Sequence, residues 1–224
     1  MGIYSIVTFF QKGGLFMYPI LFVFVAGLAI TTERWVQLNH IRSLNRKMWN
    51  LLHPELIKGN FDKAREVIKK DKSTISQMLG MGLARLGVVR RREDIEIAME
   101  ESMMEIIPQL EKRTPYVALL SNIATLLGLL GTIMGLIEAF TAVANANPAE
   151  KADLLSASIS VAMNTTAFGL MSAIPLLLFH AKLTSTTGEI VDSLEMASVK
   201  ALNSIANFNR RHFEKKSELS DGSQ

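Results

Sequence analysis

The run VALLSNIATLLGLLGTIMGLI, residues 117–137, contains no charged side chain. A helix needs about 20 predominantly apolar residues to cross the ~30 Å hydrocarbon core of a bilayer. A second uncharged run, LLSASISVAMNTTAFGLMSAIPLLLF, covers residues 154–179, and a shorter one, LFMYPILFVFVAGLAI, covers residues 15–30. The sequence therefore predicts an all-α membrane protein with three transmembrane helices, placed at 15–32, 116–140 and 154–179.

The overall composition agrees with this interpretation. The chain has 224 residues, of which 49% are hydrophobic and 20% are charged, and it has no cysteine. The absence of cysteine excludes a disulfide framework and a thiolate metal site. Helices buried in a soluble core are the alternative, but two long uncharged runs favour a bilayer. The first run has neither a basic cluster before it nor a small-residue cleavage site after it, so we expect it to be a retained helix.

Basic residues predict the orientation of the spans. Residues 33–113 hold 16 of the 24 Lys and Arg residues, and the tail from His180 holds six. The loop at 141–153 has only Lys151, and the N-terminal segment has only Lys12. The positive-inside rule places the basic segments in the cytoplasm. We therefore expect the N-terminus on the outer side of the membrane and the C-terminus in the cytoplasm.

The regions between the spans have the pattern of long helices that extend into the cytoplasm. Apolar residues at three- and four-residue steps predict packed helix faces in the middle region and in the tail. We expect the third span to continue into the tail as one helix. The expected segments besides the spans are an external or interfacial N-terminus at 1–14, a cytoplasmic helical region at 33–115, an external loop at 141–153, a cytoplasmic helical tail at 180–212 and a disordered C-terminus at 213–224.

Local signals predict where the cytoplasmic helices begin and end. Pro54 is expected to break the first helix, with a turn near Gly59. Ser73 or Thr74 is a suitable N-cap for the next helix. The following helix is expected to continue into the second span, kinked by Pro108 and Pro115.

Small residues form a stripe in each of the last two spans. In the second span they occur at three- and four-residue steps, and GTIMG at 131–135 has the small-xxx-small spacing of closely packed membrane helices. This spacing alone supports helix packing and nothing more. The candidate packing or pore-lining residues are Gly128, Gly131, Gly135, Ser158, Ala162, Gly169 and Pro175.

Polar side chains inside the uncharged runs are the candidates for an ion pathway. They are Thr132 in the second span and Asn164, Thr165 and Thr166 in the third. A threonine hydroxyl can bond to its own helix, but an asparagine amide needs a partner on another helix or in water. Neither span contains Asp or Glu before Glu138. Because a proton relay needs a titratable group, the charge would have to come from a partner chain.

The sequence gives no indication of an enzyme. It has no Walker loop, no Gly-rich phosphate fingerprint and no G-x-S-x-G motif. The histidines lie outside the apolar cores or at their edges, without a metal-ligand neighbour three or four residues ahead. We expect no catalytic residue, no bound metal and no cofactor, only a transported H⁺ or Na⁺.

Two of these stretches resemble known signatures. LLGLLGTIMGLIEAF at 126–140 resembles the second-span signature of the ExbB–TolQ–MotA family of ion-driven motor proteins, and ISVAMNTTAFGLMSAIPLLL at 159–178 resembles its third-span signature. The pair Glu33-Arg34 after the first span also fits. Three spans, a large first cytoplasmic segment and a cytoplasmic tail match the ExbB and TolQ members rather than the four-span MotA members.

The resemblance implies a homopentamer in the bacterial inner membrane, with a periplasmic N-terminus and a central pore. Two copies of a single-span ExbD/TolR-like partner would supply a membrane Asp, and Thr132 and Thr166 match the family's pore threonines. Ion flow would drive mechanical work, for example on a TonB-like protein. The family usually has Glu five residues before the third-span Thr, where this chain has Val161. The alternatives are a non-conducting membrane scaffold and the stator of a motility or envelope-maintenance system.

Overall fold

The chain is helical throughout most of the region described by a computed structural model, which covers residues 13–86 and 91–221. Three helical stretches within that region, Met17–Lys58, Arg92–Ala144 and Lys151–Phe208, are long and apolar enough to cross a membrane. The helices of the described region are α1 (Met17–Lys58), α2 (Phe61–Lys69), α3 (Thr74–Arg85), α4 (Arg92–Glu111), α5 (Thr114–Asn145) and α6 (Lys151–Asp221).

The first of two compact units contains the start of α1, all of α5 and the first half of α6, at residues 13–35 and 113–184. Its core is built where the three helices meet. Ile20 and Val23 of α1 pack with Ala124 of α5 and Ala173 of α6. Larger side chains close the core from the side, namely those of Leu120, Ile123, Leu127 and Phe168.

The outside of this unit is strongly apolar. Leu126 and Ile133 of α5 are 63% and 56% exposed, and Met171 and Leu178 of α6 are 65% and 68% exposed. A soluble monomer rarely exposes a continuous surface of this kind. The helices therefore have the surface expected of membrane-spanning segments, covered by lipid or by neighbouring subunits.

The second unit contains the end of α1, the helices α2 to α4 and the second half of α6, at residues 36–112 and 185–221. Most residues of the predicted apolar faces are buried. The hydroxyl oxygen of Ser73 accepts a hydrogen bond from the backbone N–H of Ser76, which confirms the predicted N-cap of α3. The buried side chains include those of Ile75, Met78, Leu79, Leu83, Ile95, Met99, Ile106, Leu110, Ile190, Leu194, Ala197, Ala201 and Ile205.

The prediction that the first helix breaks at Pro54 is wrong. Pro54 lies inside α1, which runs on to Lys58 and ends at Gly59 with φ 76°. A proline leaves the carbonyl of the residue four positions earlier without its helical donor. Here that residue is Asn50, and because Asn50 and Pro54 both lie on the exposed side of α1, water can solvate the free carbonyl.

The helix leading into the second span is interrupted rather than kinked. α4 ends at Glu111 and α5 begins at Thr114, with Arg113 between them in the left-handed region at φ 66°. Pro115, in the first turn of α5, has no N–H to donate to the carbonyl of Glu111. The missing hydrogen bond therefore lies at the C-terminal end of α4. Pro108, also expected to kink the helix, lies inside α4.

The third span continues into the tail as one helix, as expected, because α6 extends unbroken from Lys151 to Asp221. Residues 213–221, expected to be disordered, are helical instead; this stretch contains neither Gly nor Pro and includes Glu, Lys and Leu, which favour helix. Residues 222–224 lie outside the described region. The loop expected at 141–153 is shorter, since α5 reaches Asn145. Most of the expected segment 1–14 also lies outside the described residues.

Candidate functional site

Two threonine hydroxyls meet where α5 crosses α6. The Oγ1 atoms of Thr132 on α5 and Thr166 on α6 contact each other. Each hydroxyl also donates to the carbonyl oxygen of Gly128, over 3.1 Å from Thr132 and 3.0 Å from Thr166. Both side chains are half-buried. The three groups form a compact polar site inside two uncharged helical runs.

Glycines allow the two helices to approach closely enough for this contact. A Cβ atom on Gly128 would lie 3.2 Å from the Cα of Gly169, and one on Gly169 would lie 2.8 Å from the carbonyl oxygen of Ala124. A real Cβ essentially never lies under 3.0 Å from such an atom. The residues Gly128 and Gly169 therefore bring backbone against backbone next to the hydroxyl pair.

The remaining glycines of α5 continue this close contact. A Cβ on Gly135 would lie 2.9 Å from the Cβ of Ala162. At Gly131 an added Cβ would meet the Thr165 side chain and lie 3.2 Å from the Cβ of Phe16. The small-residue stripes of α5 and α6 thus face each other.

Thr165 points to a different neighbour from Thr166. Its side chain is 2% exposed, and its hydroxyl contacts the carbonyl oxygens of Val161 at 3.0 Å and of Gly13 at 2.6 Å. Gly13 lies just before α1 in the chain. Thr165 therefore joins α6 to the segment that leads into α1, while Thr166 faces α5.

The other predicted residues lie outside this hydroxyl cluster. Asn164 is half-buried, and its amide has no hydrogen-bond partner within the described ranges 13–86 and 91–221. Ser158 is half-buried on α6, and Pro175 lies half-buried inside the same helix. Val161, at the position where the family pattern has Glu, is half-buried, and its Cγ1 lies 3.2 Å from a Cβ built on Gly14.

A second hydrogen bond between α5 and α6 was not predicted from the sequence. The hydroxyl of Ser121, fully buried, donates to the carbonyl oxygen of Ala173 over 2.7 Å. Ser121 lies seven residues before Gly128, on the same helix face as the small residues. Extending the small-residue stripe by two turns toward the N-terminus would have identified it.

An ion pair lies beside the start of α5. The Arg113 guanidinium contacts the carboxylate of Glu33 on α1. The neighbouring Arg34 side chain is 2% exposed. The sequence drew attention to Glu33 and Arg34, but it did not indicate that Arg113 pairs with Glu33, because 80 residues separate them.

The hydroxyl cluster can donate and accept hydrogen bonds, but it carries no charge of its own. The apolar runs at 117–137 and 154–179 contain no Asp, Glu, Lys, Arg or His. Threonine hydroxyls do not titrate in the physiological range, and so they can solvate an ion or orient a proton donor without exchanging a proton themselves. Any titratable group used at this site has to come from outside these two spans.

Comparison with known proteins finds similarity to a family of membrane channel proteins. The sequence model of the MotA/TolQ/ExbB proton channel family matches residues 70–196. A biopolymer transport protein ExbB homolog of Methanothermobacter thermautotrophicus is 25% identical over 86% of this chain and 67% of its own length. The Tol-Pal system protein TolQ of Haemophilus influenzae is 34% identical over 38% of this chain and 37% of its own length.

The fold is also similar to a solved structure. The structure of C. jejuni MotAB superposes with a TM-score of 0.59, covering 88% of this chain and 79% of that one, at 15% sequence identity. At this identity the likeness shows a shared helical fold.

Proposed function

Since this chain belongs to the MotA/TolQ/ExbB proton channel family, we propose that it is the ring-forming, ion-conducting subunit of an ion-driven motor in the inner membrane. The hydroxyls of Thr132 and Thr166 line its ion pathway. Family membership supports the motor role. The contact between these two hydroxyls at the Gly128 carbonyl is the observation that carries the proposal.

The chemistry of the spans defines what the partner must provide. Proton conduction needs a group that binds and releases a proton, and the apolar runs of α5 and α6 have none. A single-span partner of the ExbD/TolR type would bring a carboxylate into the membrane beside the hydroxyls. The side chains of Thr132 and Thr166 would then solvate that carboxylate or the cation that approaches it.

The assembly would be a pentamer of this chain around two copies of the partner. The apolar outer surface of α5 and α6 supports assembly, because it can be covered by neighbouring subunits as well as by lipid. The basic segments between residues 33 and 113 favour the orientation with the N-terminus in the periplasm. Proton flow would turn the ring relative to the partner and deliver work to an envelope protein of the TonB type.

Asn164 and Thr165 have different parts in this proposal. Thr165 holds α6 against the segment before α1 through the Gly13 carbonyl, so it maintains the shape of the pathway. Asn164 is half-buried beside Thr165, and its amide would reach a neighbouring subunit or the partner.

The proposal is tested by flux through reconstituted protein. The chain is co-expressed with the single-span partner from the same genome, the complex is inserted into liposomes, and cation entry is measured under an applied potential. We expect proton flux with the wild-type partner and none when the partner's membrane Asp is replaced by Asn.

Comparing sodium-free with sodium-containing buffer identifies the ion, and we expect no dependence on sodium. A non-conducting scaffold would give no flux with either partner and no co-purification of a chain with a membrane Asp. That result would contradict the proposed function.

A further inference from the structure

Two helices of the second unit, α1 and α4, each have one exposed face among the described residues. On α1 the buried residues Leu38, Met48 and Leu52 lie on one side. The opposite side, called here the α1 outer face, is exposed along its whole length at three- and four-residue steps. It consists of His40, Ser43, Lys47, Leu51, Pro54 and Lys58.

α4 has the same arrangement with the opposite charge. Ile95, Met99 and Ile106 are buried on its packed side. The side opposite, called here the α4 outer face, is again exposed throughout. It consists of Glu93, Ile97, Glu100, Glu101, Met104, Pro108 and Glu111.

Both helices contact α6 within the second unit. α6 contacts the packed side of α4 through Ser198 and Met99, and it contacts α1 through Glu189 and Arg42. Both outer faces remain exposed among the residues that the structure describes. Two different surfaces that fit each other make a head-to-tail contact between copies, which closes into a ring when the rotation permits.

The faces match in charge. The α1 outer face carries two lysines and no acidic residue, whereas the α4 outer face carries four glutamates and no basic residue. Complementary charges of this kind select a partner and fix the register of contact. Each face also has large apolar side chains among its charges, with Leu51 at 61%, Ile97 at 58% and Met104 at 73% exposure. These would be buried in a contact.

The spacing along the two helices matches as well. Leu51 follows Lys47 by one helical turn on α1, and Glu101 follows Ile97 by one helical turn on α4. If the two helices dock antiparallel, Leu51 meets Ile97 and Lys47 meets Glu101.

We propose that the α1 outer face of one copy docks on the α4 outer face of the next copy. Leu51 packs against Ile97, and Lys47 pairs with Glu100 and Glu101. This inference rests on the proposed function, because it identifies the contact that holds the ring of conducting subunits together outside the membrane.

Disulfide cross-linking of the full-length chain tests the contact, since the natural sequence has no cysteine. The double variant Leu51→Cys with Ile97→Cys is oxidised in native membranes and run on a non-reducing gel. We expect a ladder of oligomers up to the closed ring. Either single variant alone should remain a monomer on the gel, and the two single variants expressed together should give dimers and nothing larger.

Matched variants make the result specific. Glu195, exposed on α6, provides the control, since Glu195→Cys with Ile97→Cys should give no ladder. Lys47→Glu, added to the Leu51/Ile97 cysteine pair, should lower the yield of the ladder several-fold, and Glu101→Lys added to Lys47→Glu should restore it.

Native mass spectrometry of the wild-type chain distinguishes failure of the docking faces from failure of the proposed function. An oligomer that forms without any Leu51–Ile97 cross-link overturns the docking faces and leaves the proposed motor subunit standing. A wild-type chain that is monomeric in membranes and with its partner overturns both.

Discussion

The hydroxyls of Thr132 on α5 and Thr166 on α6 touch each other and share one acceptor, the carbonyl oxygen of Gly128. Both hydroxyls can reach the same carbonyl oxygen because Gly128 and Gly169 bring the two helices into backbone contact. The packing of the spans and the polar site are therefore one arrangement.

Gly169→Ala should destabilise the contact between α5 and α6. The new methyl group would lie 2.8 Å from the Ala124 carbonyl oxygen and 2.9 Å from the Gly128 Cα, both of which are backbone atoms that cannot move aside cheaply. Overpacking of this kind costs about 1–3 kcal/mol. Thermal unfolding of the purified chain in detergent should show a lower midpoint.

Gly188→Ala is the matched control for Gly169→Ala on the same helix. A Cβ at Gly188 would have nothing within 4 Å, and Ala favours a helix over Gly by about 0.5–1 kcal/mol. The unfolding midpoint of Gly188→Ala should rise slightly or stay unchanged. Equal losses from both variants would show that close packing at Gly169 is not what stabilises the pair of helices.

Ser121→Ala should cost about 0.6 kcal/mol, the average measured for hydrogen bonds between membrane helices. The Ser121 hydroxyl is fully buried and bonds to Ala173 on α6, so its loss weakens a link between helices. Thr125→Val is the comparison, since among the described residues the Thr125 hydroxyl bonds to the carbonyl oxygen of Ser121 in its own helix, over 3.2 Å. Unfolding midpoints in detergent should fall more for Ser121→Ala.

Ser73→Ala should open the first turn of α3. Its oxygen accepts from the Ser76 N–H over 3.3 Å, and replacing a serine N-cap by Ala costs about 1 kcal/mol. Hydrogen exchange of the full-length chain, followed by mass spectrometry, should show faster exchange at the start of α3. Exchange in the apolar spans should not change. Unaltered protection of α3 would mean that the cap contributes nothing.

The Asp71 carboxylate should make this region sensitive to acid. Partial burial raises its pKa, but hydrogen bonds from Ser73 and Ser76 outweigh burial and hold the pKa below the ordinary value of 3.8. A lowered folded-state pKa gives stability that is present above pH ~4 and is lost as the pH falls through the folded-state value.

Asp71→Asn reports this contribution, since it removes the charge. The unfolding midpoint of the wild type should exceed that of Asp71→Asn at pH 7, and the difference should shrink as the pH falls below about 4. A difference that stays constant between pH 3 and pH 7 would show that the charge of Asp71 does not stabilise the fold.

Local patterns predicted much of the fold because local physics determines it. The length of the uncharged runs, the buried faces of α3 and α4 and the Ser73 cap all follow from residues within a few turns of one another. The breaks were harder to predict. Pro54 lies inside α1, whereas Pro115 stands in the first turn of α5 after a break. Asn50 and Glu111, whose carbonyls lose a helical donor, are both exposed, so solvation of the carbonyl does not distinguish the two prolines.

The sequence predicted residues of the site but not the contacts between them. Thr132 and Thr166 were assigned to one pathway, but their shared acceptor depends on the register of two helices, and the two residues lie 34 positions apart in the chain. The bond from Thr165 to Gly13 spans 152 residues and could not be foreseen from local spacing. Long-range contacts of this kind are set by packing, and a single sequence carries no direct signal for them.

Under the proposed function, removal of the Thr166 hydroxyl should have the largest effect on ion flux. Thr166→Val keeps the shape of the side chain and removes its hydrogen bonds, whereas Thr166→Ser keeps the hydroxyl and removes a methyl group. Proton flux into liposomes that contain the chain and its single-span partner should fall about tenfold in Thr166→Val, equivalent to ~1.4 kcal/mol in the barrier. Flux in Thr166→Ser should stay close to that of the wild type. Wild-type flux in Thr166→Val, with the complex intact, would contradict a role for the Thr132–Thr166 pair in carrying the ion.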